Sequence, residues 1–128
     1  MSVRPTARSL LICEQVIIEE TTHNVSLINC STMLVADSFP TANQKFAIFC
    51  ALVDGQGNIR LDVQIRRTDN MDVVFERNFQ LAFIDRHQEV RFIYRVRDCV
   101  FPIASGYQVA LLADGELIAM TTFVVRKR

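Results

Sequence analysis

Histidine is scarce in this chain, surplus charge is nil, and no stretch of apolar residues is long. Each shortage closes off a class of function. Fourteen Lys and Arg face 14 Asp and Glu, for a formal net charge of zero. A general attraction to nucleic acid or to an anionic membrane is therefore not expected, although a local patch can still act. Zero net charge also removes the repulsion that keeps many small proteins apart, which favours a homo-oligomer or a protein partner. No run approaches the ~20 apolar residues of a membrane helix. The run Leu10-Leu11-Ile12-Cys13, preceded by Arg4 and Arg8, is broken by Glu14 and Gln15. That is too short for the roughly 7–15 apolar residues of a secretion signal. Ile12 also stands where a lipoprotein signal wants a small residue. These features point to a cytoplasmic protein with no membrane attachment.

His23 and His87 are the only histidines, and both fall in segments that read as turns. Nucleophilic catalysis needs a base within hydrogen-bond reach of a Ser or Cys. No such pairing is flagged and no Gly-x-Ser-x-Gly turn occurs, so the chain reads as no enzyme. Asp85, His87 and Glu89 would share one face of an extended segment. Two oxygens and a nitrogen can hold a divalent metal, but a solvated loop is the plainer reading. Asp54, Asp69 and Asp72 are too sparse for the roughly six to eight oxygens of calcium. Asp54-Gly55-Gln56-Gly57-Asn58 has no following helix and no Lys-Ser/Thr pair, so it reads as a hairpin turn and not a phosphate cradle. The sequence implies no cofactor and no metal. Cys13, Cys30, Cys50 and Cys99 are widely spaced with no Cys-x-x-Cys knuckle, which excludes the usual zinc framework. They read as four buried thiols in a reducing compartment. A disulfide between neighbouring strands is the alternative.

What the chain does have is apolar material and a period of two. Half of its 128 residues are hydrophobic, enough for one core in a single domain over 1–128. No long segment shows a helical period. Residues 10–19 predict a first strand and residues 25–35 a second, with a polar turn between them that can make a hairpin. Phe46 to Val53 is apolar on both parities, the mark of a strand covered on both sides. Ile59, Leu61, Val63 and Ile65 alternate with Arg60, Asp62, Gln64 and Arg66. Met71–Phe83 predicts one long strand or two short ones, and Val90, Phe92, Tyr94 and Val96 predict the inward face of another. Phe101–Val125 predicts a terminal hairpin. Tyr107, Val109, Leu111 and Ala113 share one face, Asp114-Gly115 supplies a tight turn, and Leu117, Ala119, Thr121, Phe123 and Val125 return. About eight strands with turns every 8–12 residues or so predict an all-β chain. The expected fold is a single-domain, antiparallel, immunoglobulin-like β-sandwich of about 7–9 strands. Its expected core includes Leu27, Ile48, Leu61, Val63, Phe75, Phe92, Tyr94, Tyr107, Val109, Leu111 and Phe123.

The arginines are the most distinctive polar set. Arg91, Arg95 and Arg97 alternate outward with Ile93 from one strand, and Arg60, Arg66 and Arg77 project from others. If these strands are neighbours, one basic face forms that can hold an acidic partner, phosphates or another subunit. The plainer reading is a solvated face with cross-strand pairs to Asp62 and Glu76. Arg126-Lys127-Arg128 is too short for a nucleic-acid tail. The chain also resembles an uncharacterised family of small bacterial β-sandwich proteins, known as a domain of unknown function. The likeness rests on Leu11-Ile12-Cys13-Glu14-Gln15-Val16 with Asn24-Val25-Ser26-Leu27-Ile28-Asn29-Cys30, on Phe46 to Gly55, and on Arg97-Asp98-Cys99-Val100-Phe101-Pro102 leading to Gly106-Tyr107 and Asp114-Gly115. It implies a bacterial, cytoplasmic sandwich and brings no activity. The expected function is a non-enzymatic interaction or assembly module, self-associating or docking a protein. Its partner-binding face would be Arg60, Arg66, Arg91, Ile93, Arg95 and Arg97. The alternatives are a small-ligand or metal-binding domain, or nucleic-acid binding through the arginines.

Overall fold

The period of two becomes ten strands in the computed structural model, which describes residues 2–128. They are β1 (Thr6–Cys13), β2 (Gln15–Ile18), β3 (Val25–Ile28), β4 (Met33–Ala36), β5 (Phe46–Val53), β6 (Gly57–Arg67), β7 (Val73–Phe83), β8 (Val90–Val96), β9 (Ser105–Ala113) and β10 (Glu116–Lys127). A three-stranded sheet runs β1-β5-β8 and a five-stranded sheet runs β4-β10-β9-β6-β7. β2 and β3 form a separate two-stranded ribbon. The two main sheets have the immunoglobulin-like arrangement. β5 and β8 stand where strands B and E stand, while β6, β9 and β10 take the places of C, F and G, and β7 that of C′.

Four corrections to the sequence reading concern connections. Residues 10–19 are two strands, because the chain bends at Glu14 and leaves β1 for the ribbon. Residues 25–35 likewise split into β3 and β4. β4 joins β10 in parallel, with Met33 beside Val124 and Leu34 beside Val125, so the sandwich is not wholly antiparallel. Asp54–Gln56 is no hairpin turn. It carries the chain from one sheet to the other, with Asp54 at φ 62° and Gly55 pressed against the Phe83 ring.

The core lies between the sheets. Ile59, Leu61, Val63 and Ile65 of β6 are wholly buried, as are Tyr107, Val109, Leu111 and Ala113 of β9. Ile48, Cys50 and Leu52 of β5 face them. Removing a large aliphatic side chain from water contributes about 1.5–3 kcal/mol, so these short apolar ladders bear most of the stability. Tyr107 OH donates to the Ile103 carbonyl at 2.7 Å. This is the tyrosine corner of immunoglobulin-like sandwiches, which ties the start of strand F to the loop before it. Asp114 (φ 48°) and Gly115 (φ 85°) make the tight turn of the terminal hairpin. A bulge between Leu117 and Ala119 then shifts the register. Leu117 pairs with Leu112 and is exposed, not inward as its parity predicts.

The second face of β5 has its own cover. Ala47 packs with Cys13 and Val16, against the partly buried Val25, Leu27 and Ile93. The β2–β3 ribbon thus lies on the outer face of the three-stranded sheet. Leu27 belongs to this small cluster and not to the central core, and Tyr94 is only partly buried against the centre. Cys13, Cys50 and Cys99 are buried, whereas Cys30 is exposed, and all four are free thiols.

Candidate functional site

The six residues of the expected partner face do not form one face. Arg60 and Arg66 lie on β6 in the five-stranded sheet, while Arg91, Ile93 and Arg95 lie on β8 in the other. The segment between β7 and β8 crosses from sheet to sheet, so strands that follow each other in sequence point their outer residues away from each other. Arg60 Nε meets Asp62 Oδ1 at 2.9 Å, and Arg66 Nε donates to Gln64 Oε1 at 2.8 Å. Gln64 Nε2 in turn donates to Glu76 Oε2 at 2.6 Å. This half of the five-stranded sheet is a solvated, internally satisfied polar ladder. Arg77 departs from it, resting over the Phe75 ring at 4.4 Å and pairing with Asp98 at 2.6 Å.

Arg91 and Ile93 hold the ribbon down. Arg91 Nη1 donates to the His23 carbonyl in the ribbon's turn, and Arg91 Nε pairs with Glu89 at 3.1 Å. Arg8 meets the same carboxylate at 3.2 Å. Ile93 is part of the apolar cluster under the ribbon. Asp85 Oδ1 accepts from the His87 backbone N–H at 2.9 Å, closing its own turn, while Glu89 is held by the two arginines. Asp85, His87 and Glu89 therefore do not converge. Among the described residues no group of three or more His, Cys, Asp or Glu side chains is placed to hold a metal.

Arg95 and Arg97 have a different setting. They line a cleft of about 320 Å³ at the end of the sandwich, together with Glu14, Gln15, Val16, Lys45, Phe46 and Val96. Phe46 pairs with Val96 and Ala47 with Arg95, so the same register, continued one step, brings Lys45 opposite Arg97. Like charges directly opposed are unfavourable. None of Lys45, Arg95 and Arg97 is in an ion pair among the described residues. Glu14, the one carboxylate of the cleft, accepts from Asn29 Nδ2 at 2.7 Å. Lys45 is the residue that sequence reasoning misses, since only the β5–β8 register makes it a neighbour of Arg97. A wider cleft of about 590 Å³ shares Glu14, Gln15, Lys45 and Phe46 and continues to Cys13, Cys30, Met33 and Leu34.

The outer face of the five-stranded sheet carries the other notable feature. Met33 and Val124 stand side by side across β4 and β10, Met120 follows along β10, and Leu117 meets Leu112 at its far end. Met33, Leu117, Met120 and Val124 are 43, 49, 51 and 45% exposed. At ~3.3 Å per residue the column runs about 20 Å, interrupted by Thr122. Val124 and Leu112 are apolar on the second parity in the sequence as well, whereas Met33 and Leu117 emerge only from the parallel pairing and the bulge.

The comparisons with known proteins add a family. A family model described as "Family of unknown function (DUF6941)" matches residues 8–126. The chain belongs to this family. The DUF6941 match spans both clefts and the whole apolar column. Among solved structures, an immunoglobulin-like protein from Pseudomonas aeruginosa is similar at 14% identity and a TM-score of 0.46, covering 97% of this chain and 98% of that chain. No curated protein matches this DUF6941 chain. Among the described residues no helix is long and apolar enough to cross a membrane.

Proposed function

We propose that this protein is a non-enzymatic assembly module that self-associates through the outer face of its five-stranded sheet. The observation that carries the reading is the column of Met33, Leu117, Met120 and Val124, about half exposed along β4 and β10. Single exposed apolar side chains are ordinary, but an apolar column broken only by Thr122 and set beside a polar rim is the anatomy of a protein interface. The polar ladder on β6 and β7 supplies that rim. Zero net charge lets two copies approach without mutual repulsion. The two-sided apolar strand β5 lends no support, because the ribbon covers its outer face.

Light scattering over a concentration series at moderate salt tests this. The expected mass is twice the 14.6 kDa of one chain, returning to one chain when Met120→Lys and Val124→Lys are combined. A single-chain mass at every concentration ends the self-association reading and turns the search to a different protein partner.

A second reading rests on the three cations of the smaller cleft. Lys45, Arg95 and Arg97 favour an anionic group, because an anion would relieve the opposition of Lys45 and Arg97. Inorganic phosphate and a short single-stranded DNA are the probes. Binding of phosphate that disappears in Lys45→Ala/Arg97→Ala supports a small-anion site. DNA affinity falling steeply with salt supports a nucleic-acid site, and no binding of either removes the reading.

A further inference from the structure

Two of the four thiols line the same cleft. Cys13 ends β1 and Cys30 follows β3, and both border the cleft of about 590 Å³ at the base of the ribbon. The ladder of β2 and β3 sets Gln15 opposite Ile28 and Val16 opposite Leu27. Beyond that ladder, main-chain bonds flank the cysteine pair on both sides: Glu14 N–H is shared between the Ile28 carbonyl at 3.0 Å and the Asn29 carbonyl at 3.3 Å, and Ser31 N–H donates to the Ile12 carbonyl at 3.0 Å. Residues 13 and 30 are thereby fixed across from each other. Opposed residues of antiparallel chains have Cα atoms about 4.5–5.5 Å apart, inside the roughly 4.4–6.8 Å that a disulfide spans. Cys50 and Cys99 are wholly buried in the central core and take no part.

We infer that Cys13 and Cys30 are a redox modification site, at which a low-molecular-weight disulfide such as oxidised glutathione converts the two thiols into one intramolecular disulfide. Cys30 is the exposed member and the entry point. Burial pushes the Cys13 thiol's pKa up, and the neighbouring Cys30 adds to the rise, so Cys13 is the poorer first nucleophile. The Cys30 thiolate attacks one sulfur of the small disulfide. Its S–S bond breaks, one thiolate leaves and takes a proton, and a mixed disulfide stands on Cys30. Cys13 then gives its proton to solvent and attacks the Cys30 sulfur, and the second small thiol leaves. Two protein thiols are oxidised by two electrons, and one small disulfide is reduced to two thiols. The bridge fastens the base of the ribbon to the end of β1 and stiffens one wall of the cleft.

The test incubates the folded, reduced chain with oxidised glutathione, followed by intact mass and non-reducing peptide mapping. The expected product has lost two hydrogen atoms and links the Cys13 peptide to the Cys30 peptide. Cys30→Ser should gain neither bridge nor adduct, and Cys13→Ser should stop with glutathione on Cys30. Both replacements are small, and circular dichroism checks that each variant is folded. An unsubstituted chain that stops at the Cys30 adduct, forms only a Cys30–Cys30 dimer, or does not react overturns the inference.

Discussion

At the scale of single residues, three positions give sharp expectations. Tyr107 OH to Ile103 O is one hydrogen bond at 2.7 Å at the entry to β9. Ile103 is itself exposed, so water can replace the lost donor, and Tyr107→Phe is expected to cost about 1 kcal/mol in urea unfolding. Gly55 is tighter. A Cβ there would lie 2.9 Å from Phe83 ring atoms, and that ring is buried and cannot swing away. Gly55→Ala is expected to cost about 1–3 kcal/mol by overpacking, and an unchanged midpoint would show that the crossing between sheets is looser than its geometry. Burial pushes the Cys50 and Cys99 thiols up from 9.0 to about 12. The folded chain thus keeps protons that the unfolded chain releases. Their contribution to stability is whole below pH about 9 and declines toward pH about 12, by up to about 1.4 kcal/mol per pH unit for each thiol. Unfolding midpoints measured across that range should fall, and less steeply in Cys99→Ala.

At the scale of elements, the ribbon is the part held by the fewest contacts. Val16, Val25 and Leu27 bind it to Ala47 and Ile93, and Arg91 ties its turn through the His23 carbonyl. Arg91→Ala is expected to raise hydrogen exchange in residues 25–28 by several-fold while leaving β6 and β9 protected, because local opening does not require the core to open. Equal acceleration throughout the chain would contradict this. The same comparison shows what the sequence can and cannot display. Alternation names the buried face of β6, since one parity is apolar and the other is not, whereas β9 carries Ala110 and Leu112 on its second parity as well. The pattern also shows β5 as covered on both sides. It does not say which strand is a neighbour. Arg60 and Arg91 alternate equally well, yet their strands lie in different sheets. Residues 10–18 are apolar up to Glu14-Gln15 and apolar again after it, a break that reads as a ripple within one strand and does not mark the departure from β1. Lys45 looks like an isolated surface charge until the register sets it across from Arg97.

For the whole molecule, the immunoglobulin-like fold agrees with the reading from turns and alternation, and the membership in a family of unknown function agrees with the resemblance drawn from the opening, β5 and terminal segments. The surfaces are arranged asymmetrically. One sheet is overlaid by the chain's own ribbon, whereas the other leaves an apolar column uncovered beside a satisfied polar ladder. The assembly reading predicts that Val124→Lys, on the uncovered sheet, shifts the association equilibrium toward monomer in light scattering with little loss of stability. Ile17→Lys, on the exposed side of the ribbon, is expected to leave the mass unchanged.

The parallel pairing of β4 with β10 has a consequence for the order in which the protein is made. β4 leaves the ribosome before β5 to β9, and its partner β10 follows only after all of them. Until then the inward side of Leu34 and the edge groups of β4 have no permanent place, and β9 also waits for one of its two neighbours. Pairings that span most of a chain form slowly and leave apolar edges exposed meanwhile. Closure of the five-stranded sheet therefore waits for β10, and a nascent chain stalled before β10 is the form most in need of a chaperone.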